Sequence, residues 1–75
     1  MSVRDDRVRL QHMLDAARQA VAFIRGKQRR DLDDDLQLTL ALTRLVEILG
    51  EAAKNVSEAE RVRHPHIPWR AVAGA

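Results

Sequence analysis

The sequence predicts an all-α fold, an antiparallel helical bundle of two long helices followed by shorter C-terminal ones. Two apolar stripes carry that prediction. Leu38, Leu42, Leu45, Leu49, Ala52 and Val56 recur at steps of four and three, and so do Leu10, Met13, Leu14, Ala17, Ala20, Val21 and Ile24. That spacing gathers side chains on one face of a helix with 3.6 residues per turn. Composition agrees: only three Gly and two Pro occur in 75 residues, with 45% hydrophobic and 32% charged. This is the balance of a soluble helical domain, not of a sheet or a disordered tail.

The length allows one domain, residues 1–75, and a thin core. A chain of this size buries only roughly 60% of its unfolded surface, so it gains much from a partner subunit. There is no cysteine, hence no disulfide and no thiolate metal site. A net charge of +2 is too weak by itself to argue for nucleic acid. Arg4, Asp5, Asp6, Arg7 and Arg9 interrupt any apolar run near the start, so no signal peptide is expected. No stretch reaches the roughly 18–20 apolar residues that span a bilayer. A cytoplasmic protein without membrane contact is the expectation.

The first helix is expected to start at Asp5 or Asp6, either of which can cap free amides and meet the positive end of the helix dipole. Gly26 suits a left-handed stop just after Arg25. Residues 27–35 read as a connection with room for a short helical turn. Its aspartates, Asp31, Asp33, Asp34 and Asp35, lead into the second long helix, where negative charge is favoured. They lack the Gly and closing Glu of a calcium loop.

In the second helix Ala41, Ile48 and Ala53 widen the stripe. Thr43 and Gly50, seven apart, put small groups on another face and permit a close helix approach. An interior Gly costs roughly 1 kcal/mol relative to Ala, so packing is its expected reason. Ser57-Glu58-Ala59-Glu60 is a capping box that ends one helix and starts another. This next helix must be short, because Pro65 disfavours helical geometry at His64. Pro68 fits the first turn of a final helix.

Three side chains can move protons near neutral pH: His12, His64 and His66. His12 falls about 160° from Leu14 on a helical wheel, away from the predicted stripe, and is expected to be a surface or packing residue, not a catalytic one. His64 and His66 flank Pro65 with no third ligand, which makes a poor zinc site. No metal and no cofactor is expected. Arg7, Arg18 and Arg25 fall within about 20° of one another, with Arg4 and Gln11 alongside. They read either as a solvated flank or as a rail for RNA phosphates with salt-dependent binding. Arg61, Arg63 and Arg70 could extend the rail. Arg44, Glu47 and Glu51 form a polar flank on the second helix at i, i+3 and i+7, adequately explained by surface ion pairing. Trp69, beside Ile67 and Pro68, is expected to anchor the core.

Three segments together resemble the HepT-like toxins of the HEPN superfamily. They are Arg9-Leu10-Gln11-His12-Met13-Leu14-Asp15-Ala16, Leu45-Val46-Glu47-Ile48-Leu49-Gly50-Glu51-Ala52-Ala53, and Pro65-His66-Ile67-Pro68-Trp69-Arg70. The resemblance runs over the whole chain. It implies a metal-independent endoribonuclease that acts as a homodimer. It also implies a cognate minimal nucleotidyltransferase antitoxin, which modifies a Tyr of the toxin. The family's Arg-x4–6-His motif, with Tyr two residues on, follows a lead-in that Ala73-Gly74-Ala75 matches.

The chain has no Tyr, so fold and partners carry over but no catalytic residue does. The expectation is a chain cut short of its motif and inactive as it stands. In the resemblance, Glu51 would hold a motif Arg in place. Two other readings fit the same residues: a helical dimerisation or interaction module without catalysis, and a non-cleaving RNA binder using Arg7, Arg18, Arg25 and Arg70.

Overall fold

The structure, a computed structural model, describes residues 3–74, with side chains from Asp5 onward. The side chain of Arg4 and the whole of Ala75 lie outside the described residues. Five helices follow in order: α1 Val3–Ile24, α2 Arg29–Asp34, α3 Leu36–Lys54, α4 Glu58–Val62 and α5 Trp69–Ala73. There is no strand among the described residues. The molecule is elongated, 42 × 19 × 18 Å, because α1 and α3 lie side by side along most of their lengths.

Local signals set most boundaries. Gly26 has φ +76°, the left-handed conformation that costs an L side chain strain and glycine nothing, and the Lys27 amide returns to Ile24 O at 2.9 Å. The helical turn expected between 27 and 35 is α2. Asp31 accepts from the Gln28 amide at 2.7 Å at its start, and the Thr39 hydroxyl donates to Leu32 O at 2.7 Å, tying α2 to α3. Asp35 caps α3 by accepting from the Leu38 amide at 3.0 Å. Ser57 caps α4, its hydroxyl accepting from the Glu60 amide at 3.3 Å.

One expected cap is different. α1 already begins at Val3, so Asp5 and Asp6 lie in its first turn and neither is the cap. Asp6 is buried and reaches across the same end of the bundle to the residue that follows α3 by three positions. Its carboxylate accepts from the Ser57 amide at 2.8 Å and from the Ser57 hydroxyl at 2.6 Å. The capping box is therefore completed by a residue 51 positions away and not by Glu60. The Glu60 carboxylate instead faces His64 Nε2 at 3.1 Å and Arg63 at 3.4 Å. Since Asp6 meets the residue just beyond the C-terminal end of α3, the two long helices run antiparallel.

The core sits at that end. Met13, Ala52, Ala53 and Val56 form it, with Leu10, Leu49, Trp69, Val72 and Ala73 packed around them. Ala53 has no exposed surface at all. Trp69 is half-buried and donates its indole N–H to His64 O at 3.0 Å, so the expected anchor is in place. Gly50 is buried, whereas Thr43 is exposed and bonds back to Thr39 O at 2.9 Å. Only half of the expected small-residue face makes contact.

The buried face of α1 is rotated from the expected stripe. Ala16, absent from that stripe, is buried beside Met13, while Leu14, Val21 and Ile24 are more than two-fifths exposed. On α3, Leu36 is 70% exposed and Leu40 58%. A single copy thus leaves apolar area open on both long helices. No helix among the described residues is long and apolar enough to cross a membrane.

The Asp6–Ser57 contact makes stability depend on pH. The Ser57 hydroxyl, and after it the Ser57 amide, hold the Asp6 carboxyl below the ordinary aspartate range. A group lowered in this way contributes stability that is complete above its unfolded value, roughly 3.9. The contribution fades as pH falls through that value toward the folded one. Asp6→Asn should melt below the wild type at pH 7, and the gap should close in acid. Melting curves that keep the same gap from pH 7 down to pH 2.5 would contradict this.

Candidate functional site

The structure brings the polar flank of α3 against α1. Arg44, Glu47 and Glu51 line a cleft of about 490 Å³ between the two helices, together with Arg9 and His12 of α1 and Lys54 and Asn55 at the end of α3. Ile48 and Ala52 form its apolar floor. Arg44 pairs with Glu47 at 3.4 Å and Lys54 with Glu51 at 4.0 Å, all four side chains being more than half exposed. Such pairs stabilise little, but they fix where the charges stand. The Asn55 amide donates to Glu51 O at 2.9 Å.

Arg9 and His12 are the residues that sequence reasoning missed. His12, expected as a surface or packing residue away from the stripe, is exposed on the seam with α3. The rotated face of α1 explains this, since about 100° per residue puts Arg9 beside Ala16 and His12 on the adjacent flank. Placing Ala16 in the buried face would have found both. The Arg9 Nε is covered by protein and has no hydrogen-bond partner. A smaller cleft continues along the seam past Asp15, Ala16 and Gln19 to Leu45, sharing His12 and Ile48 with the first.

The arginine rail lies elsewhere. Arg7, Arg18 and Arg25 are exposed, and α1 turns them roughly 120–180° away from His12 and Arg9. Arg7 lines a separate groove with Asp6, Leu10, Glu60 and Arg63. Arg70 is exposed on α5 and lines a third groove with Lys54, Glu58, Arg61 and Trp69. Arg7 and Arg70 therefore share no groove.

Arg61 does not extend the rail. Its guanidinium donates to Val56 O at 3.2 Å, Ala53 O at 2.9 Å and Lys54 O at 3.2 Å, and lies 5.8 Å from the Trp69 ring centre. It closes the carbonyl end of α3, where cations are favoured.

The bare spacing Arg-x4-His does occur twice in the chain, as Arg7–His12 and Arg61–His66. Neither pair converges. Five residues on a helix turn Arg7 and His12 about 140° apart, into different clefts. Arg61 is held by the three carbonyls, and His66 is exposed in the turn before α5, its ring edge-on to His64 at 6.1 Å.

Known proteins resemble the chain along its length. A protein of Caldanaerobacter subterraneus named as a putative RNase is 35% identical over 65 residues, covering 87% of this chain and 58% of its own length. A Methanocaldococcus jannaschii protein, also named as a putative RNase, is 27% identical over 74 residues, covering 99% of this chain and 68% of its own. One from Thermococcus cleftensis, named as a probable ribonuclease HepT, is 44% identical over 39 residues, 52% of this chain and 36% of its own. The chain thus spans 58–68% of the first two relatives' lengths. No solved structure matches it. The model of the family described as ribonuclease HepT-like matches residues 13–75, which takes in the α1–α3 seam from Met13 onward, the capped turn and α5. By that match the chain belongs to the HepT-like ribonuclease family.

Proposed function

We propose that this chain supplies the helical scaffold of a HepT-type ribonuclease toxin, cytoplasmic, homodimeric and restrained by a cognate minimal nucleotidyltransferase antitoxin. The family match over residues 13–75 carries the reading, and relatives named as ribonucleases support it. Self-association has its own support in Leu14, Val21, Leu36 and Leu40, each more than two-fifths exposed, since apolar side chains open on both long helices offer a surface that a second copy can cover.

Cleaving a ribose–phosphate bond needs a base for the 2′-hydroxyl, an acid for the leaving oxygen and positive charge on the phosphate. Within one copy of residues 1–75 neither pair at the right spacing converges. Arg7 and His12 face different clefts, and Arg61 is held by backbone carbonyls away from His66. These residues alone are therefore inactive.

The purified chain, incubated with tRNA and mRNA under nuclease-inhibitor controls, should leave both intact while sedimenting as a dimer. Cleavage that survives the controls would overturn the inactivity. A stable monomer at high concentration would overturn the homodimer.

A further inference from the structure

We propose that the α1–α3 cleft is a nucleotide subsite in which Arg9, His12 and Arg44 hold a phosphate of single-stranded RNA. The proposal rests on the ribonuclease reading for its choice of polymer and on the cleft itself for its location. It assigns phosphate contact to the seam and not to the rail on the other side of α1.

The donors left over in the cleft point to an anion. Glu47 and Glu51 are each engaged by a cation of α3, at 3.4 Å and 4.0 Å, and the Asn55 amide is spent on a backbone carbonyl. On α1, Arg9 and His12 make no hydrogen bond or ion pair among the described residues, and the covered Arg9 Nε has no acceptor. A covered guanidinium N–H without an acceptor is costly to keep. The terminal nitrogens of Arg9 are not among the covered unpartnered atoms and can reach a phosphate through charge-assisted bonds.

Charge and shape agree. Arg9, Arg44 and Lys54 outnumber Glu47 and Glu51 by one, before any proton on His12. The two carboxylates oppose an anion, so the site should bind weakly in isolation. The apolar floor of Ile48 and Ala52 suits the face of a base, and the continuation toward Gln19 and Leu45 gives the strand a direction to run. Aromatic stacking platforms are absent from this floor, so affinity should come mainly from phosphate and fall with salt.

The test uses the whole chain in two arms. In the first, a labelled single-stranded oligoribonucleotide is titrated at several salt concentrations against wild type, Arg9→Gln, Arg44→Gln and Arg18→Gln. Arg9→Gln and Arg44→Gln should each weaken binding about five- to tenfold and flatten the log–log salt slope by about 0.7, one phosphate contact on a single strand. Arg18→Gln should change neither. In the second, uridine 5′-monophosphate is titrated into 15N-labelled protein, and shifts are expected at Arg9, His12, Glu47 and Ile48.

Arg9→Gln should melt no lower than wild type, because it removes a covered N–H that has no acceptor; a residue kept for packing would behave otherwise. RNA loss in Arg18→Gln with none in Arg9→Gln would overturn the subsite and leave the ribonuclease reading intact. Nucleotide shifts confined to the cleft, in a protein whose relatives prove unable to cut RNA, would sustain the subsite and remove that reading. An RNA affinity indifferent to both cleft substitutions, with no nucleotide shifts there, refutes the subsite outright.

Discussion

Trp69→Ala should lower the free energy of unfolding by about 3 kcal/mol, the lower end of the range for truncating a large core aromatic. The lower end applies because Trp69 is half-buried. Three contacts go at once. The ring leaves the cluster around Met13, Ala52, Ala53 and Val56, the indole N–H leaves His64 O, and the Arg61 guanidinium loses the surface beneath it.

A domain of 75 residues has roughly 4–11 kcal/mol in total, so the variant should sit near the edge of folding. Trp69→Phe keeps most of the apolar area and drops only the N–H donor, and should cost about 1 kcal/mol. Urea titrations followed by circular dichroism measure both, since the only Trp of the chain is lost as a fluorophore. Equal costs for Ala and Phe would show that packing by the ring is not what holds α5 down.

Arg61→Ala is the second large effect, expected at about 2 kcal/mol. Three backbone carbonyls at the end of α3 lose their donor, and hydrogen bonds from charged groups contribute about 1.5–3 kcal/mol where they are shielded from water. Half-exposure of Arg61 discounts the sum toward the low end. The favourable cation at the helix terminus goes as well. Arg61→Lys restores charge but not the planar fork that reaches several carbonyls at once, so it should recover less than half. Because Arg61 and Trp69 touch, the double variant should cost less than the sum of the two singles. A loss under 0.5 kcal/mol, typical of an unengaged surface residue, would refute the capping role.

How far the fold could be read in advance depends on which signals were local. Asp35, Ser57 and Gly26 act within four residues of themselves, and each stands where its neighbours required. The α3 stripe also held, because Leu38, Leu45 and Ala52 repeat on one line and are buried together. The phase of α1 did not. Where the long helices meet, Met13 packs against Ala52, Ala53 and Val56 and Ala16 is buried as well, and apolar bulk is a misleading guide where small side chains line the seam. Leu14 and Val21 drew the predicted stripe toward themselves and are outside. That one rotation also hid half of the site: Arg44, Glu47 and Glu51 were legible from their spacing, whereas Arg9 and His12 required knowing which way α1 faces. The commitment of Arg61 to the end of α3 is a tertiary fact that no periodicity announces.

The clasp between Asp6 and Ser57 also sets a timetable for biogenesis. On the ribosome, α1 emerges first, yet the serine that secures it is translated 51 codons later, so no nascent chain shorter than that can shut the bundle. Closing so long a span is the slow, entropically opposed part of assembly for a small helical protein. Pulse-labelled nascent chains should accordingly stay protease-sensitive throughout α1 until Ser57 has cleared the exit tunnel.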